Sequence, residues 1–185
     1  MARLRKFCAY QGLKRPYTRV SKYKKNSFTK ARPHSVLVKF EMGEPARTFD
    51  LNYHLIAEQD GHIRHNALES ARQTSNRALE KEFGKKGYFL RIRKYPFHIL
   101  RENPMATGAG ADRMSQGMSQ AFGKPISSAA RVKKGDVVFE VRIPRAHSKV
   151  AKLALSRAAK KLPGSYRIIL NAPKVVAAKK EVAQQ

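Results

Sequence analysis

The first forty residues contain twelve Lys and Arg and no Asp or Glu. A segment with that much like charge can supply little of the interior of a compact domain, because buried charges lose their hydration and repel one another. Most of it is expected to lie outside a core, against something that neutralises it. Residues 41–185 add twenty-seven Lys and Arg against thirteen acids, and the whole 185-residue chain carries a formal charge of +26. Up to about Arg32 the segment has neither strand alternation nor a helical stripe. Phe7, Tyr10, Tyr17, Tyr23 and Phe28 are interleaved with its cations.

A polyanion is the partner this charge requires, and nucleic acid is the first candidate, since each phosphate neutralised releases condensed counterions. Residues 1–32 read as a basic arm extended on RNA. Arg3, Arg5, Lys6, Lys14, Arg15, Arg19, Lys22, Lys24 and Lys25 would sit on phosphates, and the rings would stack on exposed bases. A disordered solubilising tail is the competing reading, but such tails are poor in aromatics. Residues 173–185 form a second basic tail, rich in Ala, Lys and Val. No stretch approaches the ~18 apolar residues a spanning helix needs, and the N-terminus has no apolar h-region, so no membrane or secretory role is expected. The lone Cys8 excludes an intrachain disulfide and fits a reducing compartment.

Between the arms, residues 33–172 carry periodic apolar patterns sufficient for one core. Residues 35–40 are β-branched and read as a strand, and 47–58 alternate Phe49, Leu51, Tyr53 and Leu55 with polar residues, as a half-buried strand does. From Ile63 to Phe83 the residues Ala67, Leu68, Ala71, Ala78, Leu79 and Phe83 share a helical face, with Gly84 as C-cap. Residues 88–95 alternate again, Pro96 interrupts, and 97–100 resume an apolar run. A short helix is expected over 113–122. Strands 126–132 and 137–143 should pair around the turn 133–136. Residues 146–162 are expected to be helical with Val150, Leu153, Ala154 and Ala158 inward, and Tyr166, Ile168 and Leu170 close with a strand. The predicted fold class is α+β: a single-domain, two-layer sandwich of two helices on one mixed or antiparallel sheet, with extended basic arms.

Residues 91–124 carry the most specific signal. A basic apolar segment enters a Gly/Ala loop, bracketed by Arg101, Asp112 and Arg113, which holds neither a strong nucleophile nor a general base. Gly108 and Gly110 permit positive φ and close approach of another backbone. The loop lacks the third glycine and the preceding βα unit of a dinucleotide site. Glu102 and Asp112 each adjoin an arginine, so charge pairing that orders the loop ends is simpler than acid–base catalysis. His62 and His65 are read as structural, because a closed metal site needs further ligands that the sequence does not supply nearby. Met105 offers an adaptable surface, while Met114 and Met118, spaced i, i+4, are expected to pack on the core. Arg91, Arg93 and Lys94 form a cationic stripe facing away from Leu90 and Ile92. No catalytic residue, metal, cofactor or small-molecule substrate is predicted.

The run RIRKYPFHILRENPMATGAGADRMSQGMSQAFGKP at 91–125, followed by AARVKKGD at 129–136, resembles the large-subunit ribosomal protein family L sixteen, in its archaeal and eukaryotic branch, L ten e. FEMG at 40–43, RHNALESARQTSNRALEKEFGKKGYFLRIR at 64–93 and RAAKKLPG at 157–164 resemble it too, so the likeness spans roughly residues 16 to 170. It implies an α/β hammerhead-type fold seated on large-subunit rRNA, close to the peptidyl-transferase region and the tRNA acceptor arm, with neighbouring ribosomal proteins as further partners. Carried over by position, Arg91, Arg93, Lys94 and Arg101 would face rRNA. Asn103, Met105, Thr107, Gly108, Ala109, Gly110, Ala111 and Asp112 would form a tRNA-facing loop. Arg113 would close it, and Lys124 would follow as a further RNA contact.

Residues 1–15 depart from the family's usual opening, and Ser127-Ser128 stands where a glycine-threonine pair is commoner. The absence of the eukaryotic C-terminal extension favours an archaeal-type member. The expected role is a structural constituent of the large subunit in the cytoplasmic ribosome. An RNA-modifying enzyme would require a catalytic constellation that is missing from the sequence. A non-ribosomal nucleic-acid compaction protein would bind without regard to RNA structure.

Overall fold

The computed structural model describes residues 4–12, 23, 25, 27, 29, 31–103, 105–106, 108–114, 117–119 and 123–171. Among these residues, eight strands form two antiparallel sheets. The larger contains β1 (Glu41–Gly43), β2 (Leu51–Ala57), β4 (Phe89–Ile92), β7 (Val137–Ile143) and β8 (Tyr166–Asn171), in the order β1-β4-β7-β2-β8. The smaller contains β3 (Gly61–Arg64), β5 (His98–Glu102) and β6 (Lys124–Val132), in the order β3-β6-β5. Helices α1 (His65–Phe83) and α3 (Ser148–Ala159) pack on each other, and a single turn, α2 (Ala111–Met114), follows the Gly/Ala loop.

Helix α1 forms because Leu68, Ala71, Ser75 and Leu79 recur on one face and are all buried. The one polar member satisfies itself, as the Ser75 hydroxyl donates to the Ala71 carbonyl at 2.8 Å. Gly84, at φ +67°, ends the helix by donating its N–H to the Glu80 carbonyl at 2.9 Å. Helix α3 presents Ala151, Ala154, Leu155 and Ala158, and three alanines in that stripe let the two helices approach closely. Helix α3 packs on β2, β7 and β8 of the larger sheet and α1 on β3 and β6 of the smaller one, and they share one core with Tyr53, Leu55, Leu90, Phe139, Val141 and Ile143.

The structure revises several sequence expectations. The α+β class holds, but the strands divide between two sheets rather than one. Strands 126–132 and 137–143 do not pair with each other. β6 is the middle strand of the smaller sheet and β7 lies between β4 and β2, so both edges of each are occupied. The turn 133–136 instead carries the chain from one sheet to the other. It is bound sideways, by Gly135 N–H to the Ala57 carbonyl (2.8 Å) and Lys134 N–H to Asp60 (2.7 Å).

Residues 35–40 do not join a ladder. Leu37 enters the core while Val36 and Val38 are exposed, and pairing begins only at Glu41. Ile63 belongs to β3, paired with Ala130, so α1 starts two residues later than expected. Of the 113–122 helix only its beginning matches α2, and residues 115–116 and 120–122 lie outside the described set. Met114 and Met118 are both exposed rather than packed on the core. Leu153 is also exposed, and Leu155 takes the inward place. The remaining strands and helix agree to within a few residues at their ends.

Candidate nucleic-acid interface

Period-two alternation that buries Leu90, Val141 and Tyr53 places their neighbours on the opposite face of the larger sheet. Strand register aligns these neighbours in rows. Glu41, Arg91, Glu140, His54 and Ile169 face one another across five strands, and beside them run Phe89, Arg142, Asn52 and Asn171. Glu140 lies at the centre and is only 1% exposed. Its Oε2 accepts from Arg93 Nη1 at 3.0 Å, and its Oε1 accepts from Arg142 Nε at 2.8 Å and from Asn52 Nδ2 at 3.1 Å. The Arg142 guanidinium lies over the Phe89 ring, 5.1 Å from its centre.

Burial pushes the Glu140 carboxyl upward in pKa, but its hydrogen bonds from Arg142, Arg93 and Asn52 outweigh that and hold it below the usual range. The pKa of His54 beside it is lowered, first by burial and then by Arg93 and Arg142, although Glu140 opposes this. Each cation of the predicted stripe is paired with a different acid, Arg93 with Glu140. Arg91 pairs with Glu41 at 3.1 Å, and Lys94 reaches Asp136 at 2.6 Å. Sequence reading named Arg91, Arg93 and Lys94 but missed Glu140, Arg142 and Asn52. The alternation in VVFEVRI at 137–143 was the available signal, because it puts Glu140 and Arg142 on one face.

The N-terminal segment brings further cations beside the smaller sheet. Residues Phe7–Tyr10 form a 3-10 turn that lies against β3. The Tyr10 carbonyl is 2.8 Å from His62 Nδ1, and Arg5 reaches Glu102 at 3.7 Å. Residues 4–12 thus lie on the domain. Lys6 and Lys25 are exposed to solvent, and Arg32 donates to the Pro96 carbonyl at 3.2 Å. Arg3, Lys14, Arg15, Arg19, Lys22 and Lys24 lie outside the described residues.

Under this turn, His62 and His98 stack with ring centres 4.7 Å apart, both buried. Burial, then the neighbouring His62 and the Arg131 and Arg101 charges, push His98 down to about 4. His65 faces elsewhere, its Nδ1 accepting from the Val36 N–H at 3.1 Å. The two histidines noted in the sequence therefore have separate partners. Among the described residues no group of three or more His, Cys, Asp or Glu is placed to hold a metal ion, and no helix is long and apolar enough to cross a membrane.

The Gly/Ala loop leaves the end of the smaller sheet, where Glu102 and Lys124 form the last pair of the β5–β6 ladder. Gly123 closes its base at φ +72°, with its α-carbon turned into the Glu102–Asn103 backbone. Met105, Gly108, Ala109 and Gly110 are exposed at the tip. Ala111 N–H donates to the Gly108 carbonyl at 3.1 Å and Arg113 N–H to the Gly110 carbonyl at 3.1 Å, which starts α2 and places Asp112 and an exposed Arg113 on it. Thr107 lies outside the described residues. Glu102 pairs with Arg5 from the N-terminal segment, an ion pair between residues distant in sequence.

A sequence profile described as ribosomal protein L16p/L10e matches residues 16–169. The chain is 49% identical to the large ribosomal subunit protein uL16 of Staphylothermus marinus over 154 residues, which covers 83% of this chain and 85% of that one. It is 45% identical to the uL16 protein of Hyperthermus butylicus, covering 83% of this chain and 82% of the relative. For the uL16 protein of Archaeoglobus fulgidus the identity is 42%, covering 87% and 89%. A match of that extent to the family profile and to archaeal relatives settles the family: the chain belongs to the ribosomal protein L16p/L10e family, and is a structural protein of the large ribosomal subunit rather than an enzyme.

Proposed function

We propose that this protein binds large-subunit rRNA through the basic arms at 1–32 and 173–185 and through the Arg91/Arg93 face of the larger sheet. Arg101, Arg113 and Lys124 would add contacts beside the smaller sheet, and neighbouring ribosomal proteins would complete its surroundings. Loop 102–112 would help to position the tRNA acceptor arm near the peptidyl-transferase region. Phosphate contacts of this kind position a protein on RNA without reading its sequence. The observation that carries the loop assignment is its geometry. A firmly closed base at Gly123 projects a tip of small residues whose backbone is free to approach another molecule.

Sedimentation of a native lysate, with and without a high-salt wash, tests the ribosomal part. Stoichiometric, salt-resistant migration with the large subunit is expected, and release at modest salt would argue against an integral place. Deleting residues 105–110 tests the loop. Incorporation into the subunit should survive while tRNA accommodation falls. If the shortened chain no longer assembles, the loop is a packing element and the tRNA assignment fails.

A further inference from the structure

We propose that Glu140 is a positioning residue for an rRNA phosphate clip, in which the Arg93 and Arg142 guanidinium groups together grip one backbone phosphate on the outer face of the larger sheet. The inference rests on the rRNA-binding reading above and extends it to residues that reading did not include. Glu140 is 1% exposed, whereas the Arg93 and Arg142 side chains are 48% and 38% exposed. The carboxylate is thus buried beneath two cations that reach solvent. Its two oxygens divide the work, one holding Arg93 and the other Arg142, so both guanidinium groups are tethered to one carboxylate.

Each guanidinium has five N–H donors and Glu140 takes only some of them. The remainder suit phosphate oxygens, and both side chains reach solvent. Phe89 stacks under Arg142 and limits its rotation, and Asn52 fixes Glu140 from the other side. A network meant only for stability would gain little here, because buried ion pairs stabilise no better than apolar side chains of similar size. Holding two arginines in place before RNA arrives removes part of the ordering cost of binding. With Arg91 paired to Glu41 beside it, this face carries three guanidinium groups against two carboxylates and stays net cationic.

The sign of one variant separates positioning from bulk charge. Glu140→Gln raises the net charge by one, so bulk electrostatics predicts tighter binding to RNA. The clip predicts weaker binding, because the neutral amide no longer holds both guanidinium groups. Full-length wild type, E140Q, R93Q, R142Q and R142K would be titrated against a large-subunit rRNA transcript and against tRNA at several salt concentrations, with thermal melts of each protein. R93Q and R142Q should each weaken rRNA binding roughly tenfold, as expected for losing one charge-assisted hydrogen-bonded contact. Each should also reduce the log–log salt slope by about 0.7–0.9.

R142K keeps the charge but loses the fork, so it should weaken binding with its salt slope almost unchanged. E140Q should bind more weakly than wild type. Equal or tighter binding by E140Q, or wild-type affinity in R142K, would overturn the clip even if every variant melts normally. Should E140Q fail to fold, R142K and R93Q, which retain Glu140, decide the question alone. Losses confined to tRNA would overturn the assignment to rRNA. Failure of the wild type itself to bind the transcript would instead overturn the underlying reading of function.

Discussion

The Phe7 ring occupies the space where a side chain on Gly61 would begin: a β-carbon there would lie 2.6 Å from the ring. The N-terminal segment is therefore seated on β3 through a contact that a β-carbon on Gly61 would force the Phe7 ring to give up. Gly61→Ala should expel Phe7 and release residues 4–12. The ring relieves the clash by swinging away, so the loss falls on the seating of the segment rather than on the core. Limited trypsin digestion should then cut at Arg5 and Lys6 much faster than in the wild type, while the helical circular dichroism stays unchanged. Unaltered cleavage would show that Phe7 is not what holds the segment.

Gly123 makes the corresponding contact at the loop base. A β-carbon there would lie 2.7 Å from the Glu102 carbonyl carbon, and φ is +72°. Gly123→Val combines a backbone clash with a conformation that β-branched residues avoid. A stability loss of about 2 kcal/mol or more is expected, read as a lower urea midpoint at unchanged slope. Gly110→Ala is a useful contrast, because nothing lies within 4 Å of a β-carbon there and only its φ of +79° is strained. It should cost about 1 kcal/mol.

His98 gives the fold a measurable pH dependence. Its folded pKa is about 4 against an ordinary 6.5, so between those values the unfolded chain binds a proton that the folded chain does not. Its contribution is complete above pH 6.5 and is lost progressively as the pH falls towards 4, to a total of about 3 kcal/mol. His62 is lowered as well, first by burial, and acts in the same direction. Urea unfolding at fixed salt should show the decline between pH 6.5 and 4, and His98→Phe should flatten most of it. An unchanged slope in that variant would remove His98 as the cause.

Asp136 links the turn at 133–136 to Lys94. Its Oδ2 accepts from Lys94 Nζ at 2.6 Å and from the Lys133 N–H at 2.9 Å. Burial raises its pKa, but those hydrogen bonds more than offset this and hold it below the usual carboxylate value. The stabilisation is present above the unfolded carboxylate pKa and is lost as the pH falls through the lower folded one. Asp136→Asn should therefore destabilise by about 1 kcal/mol at pH 7, the size expected of a partly exposed pair with one backbone hydrogen bond. The difference from wild type should vanish in strong acid. A gap that persists at low pH would mean that the turn, not the charge, was disturbed.

Local periodicity made much of the fold legible. The stripe at Leu68, Ala71 and Leu79 with Gly84 after it marked α1, and the alternation through Tyr53 and Leu55 marked β2, because both patterns depend on residues within a few positions of each other. The long motif at 91–125 made the family legible as well. Partnering was not legible. Val132 and Val137 flank a turn that reads as a hairpin, yet the strands they belong to find their partners in different sheets. Ile63 fits a helical stripe with Ala67, and it is the pairing with Ala130 that makes it a strand residue.

The candidate interface divides in the same way. Arg91 and Arg93 were marked by charge and spacing, while Glu140 is one acid in an apolar run until the register of β4, β7 and β2 sets it between two arginines and Asn52. By itself the sequence determined an excess of cations that calls for an anionic partner, and the period of most elements, through side chains that need only their own backbone to choose a face. Only the tertiary structure decided which edges were still free for pairing, which methionines faced solvent, and which charges were already held by an acid. Those choices depend on residues dozens of positions apart, whose contact no local pattern encodes.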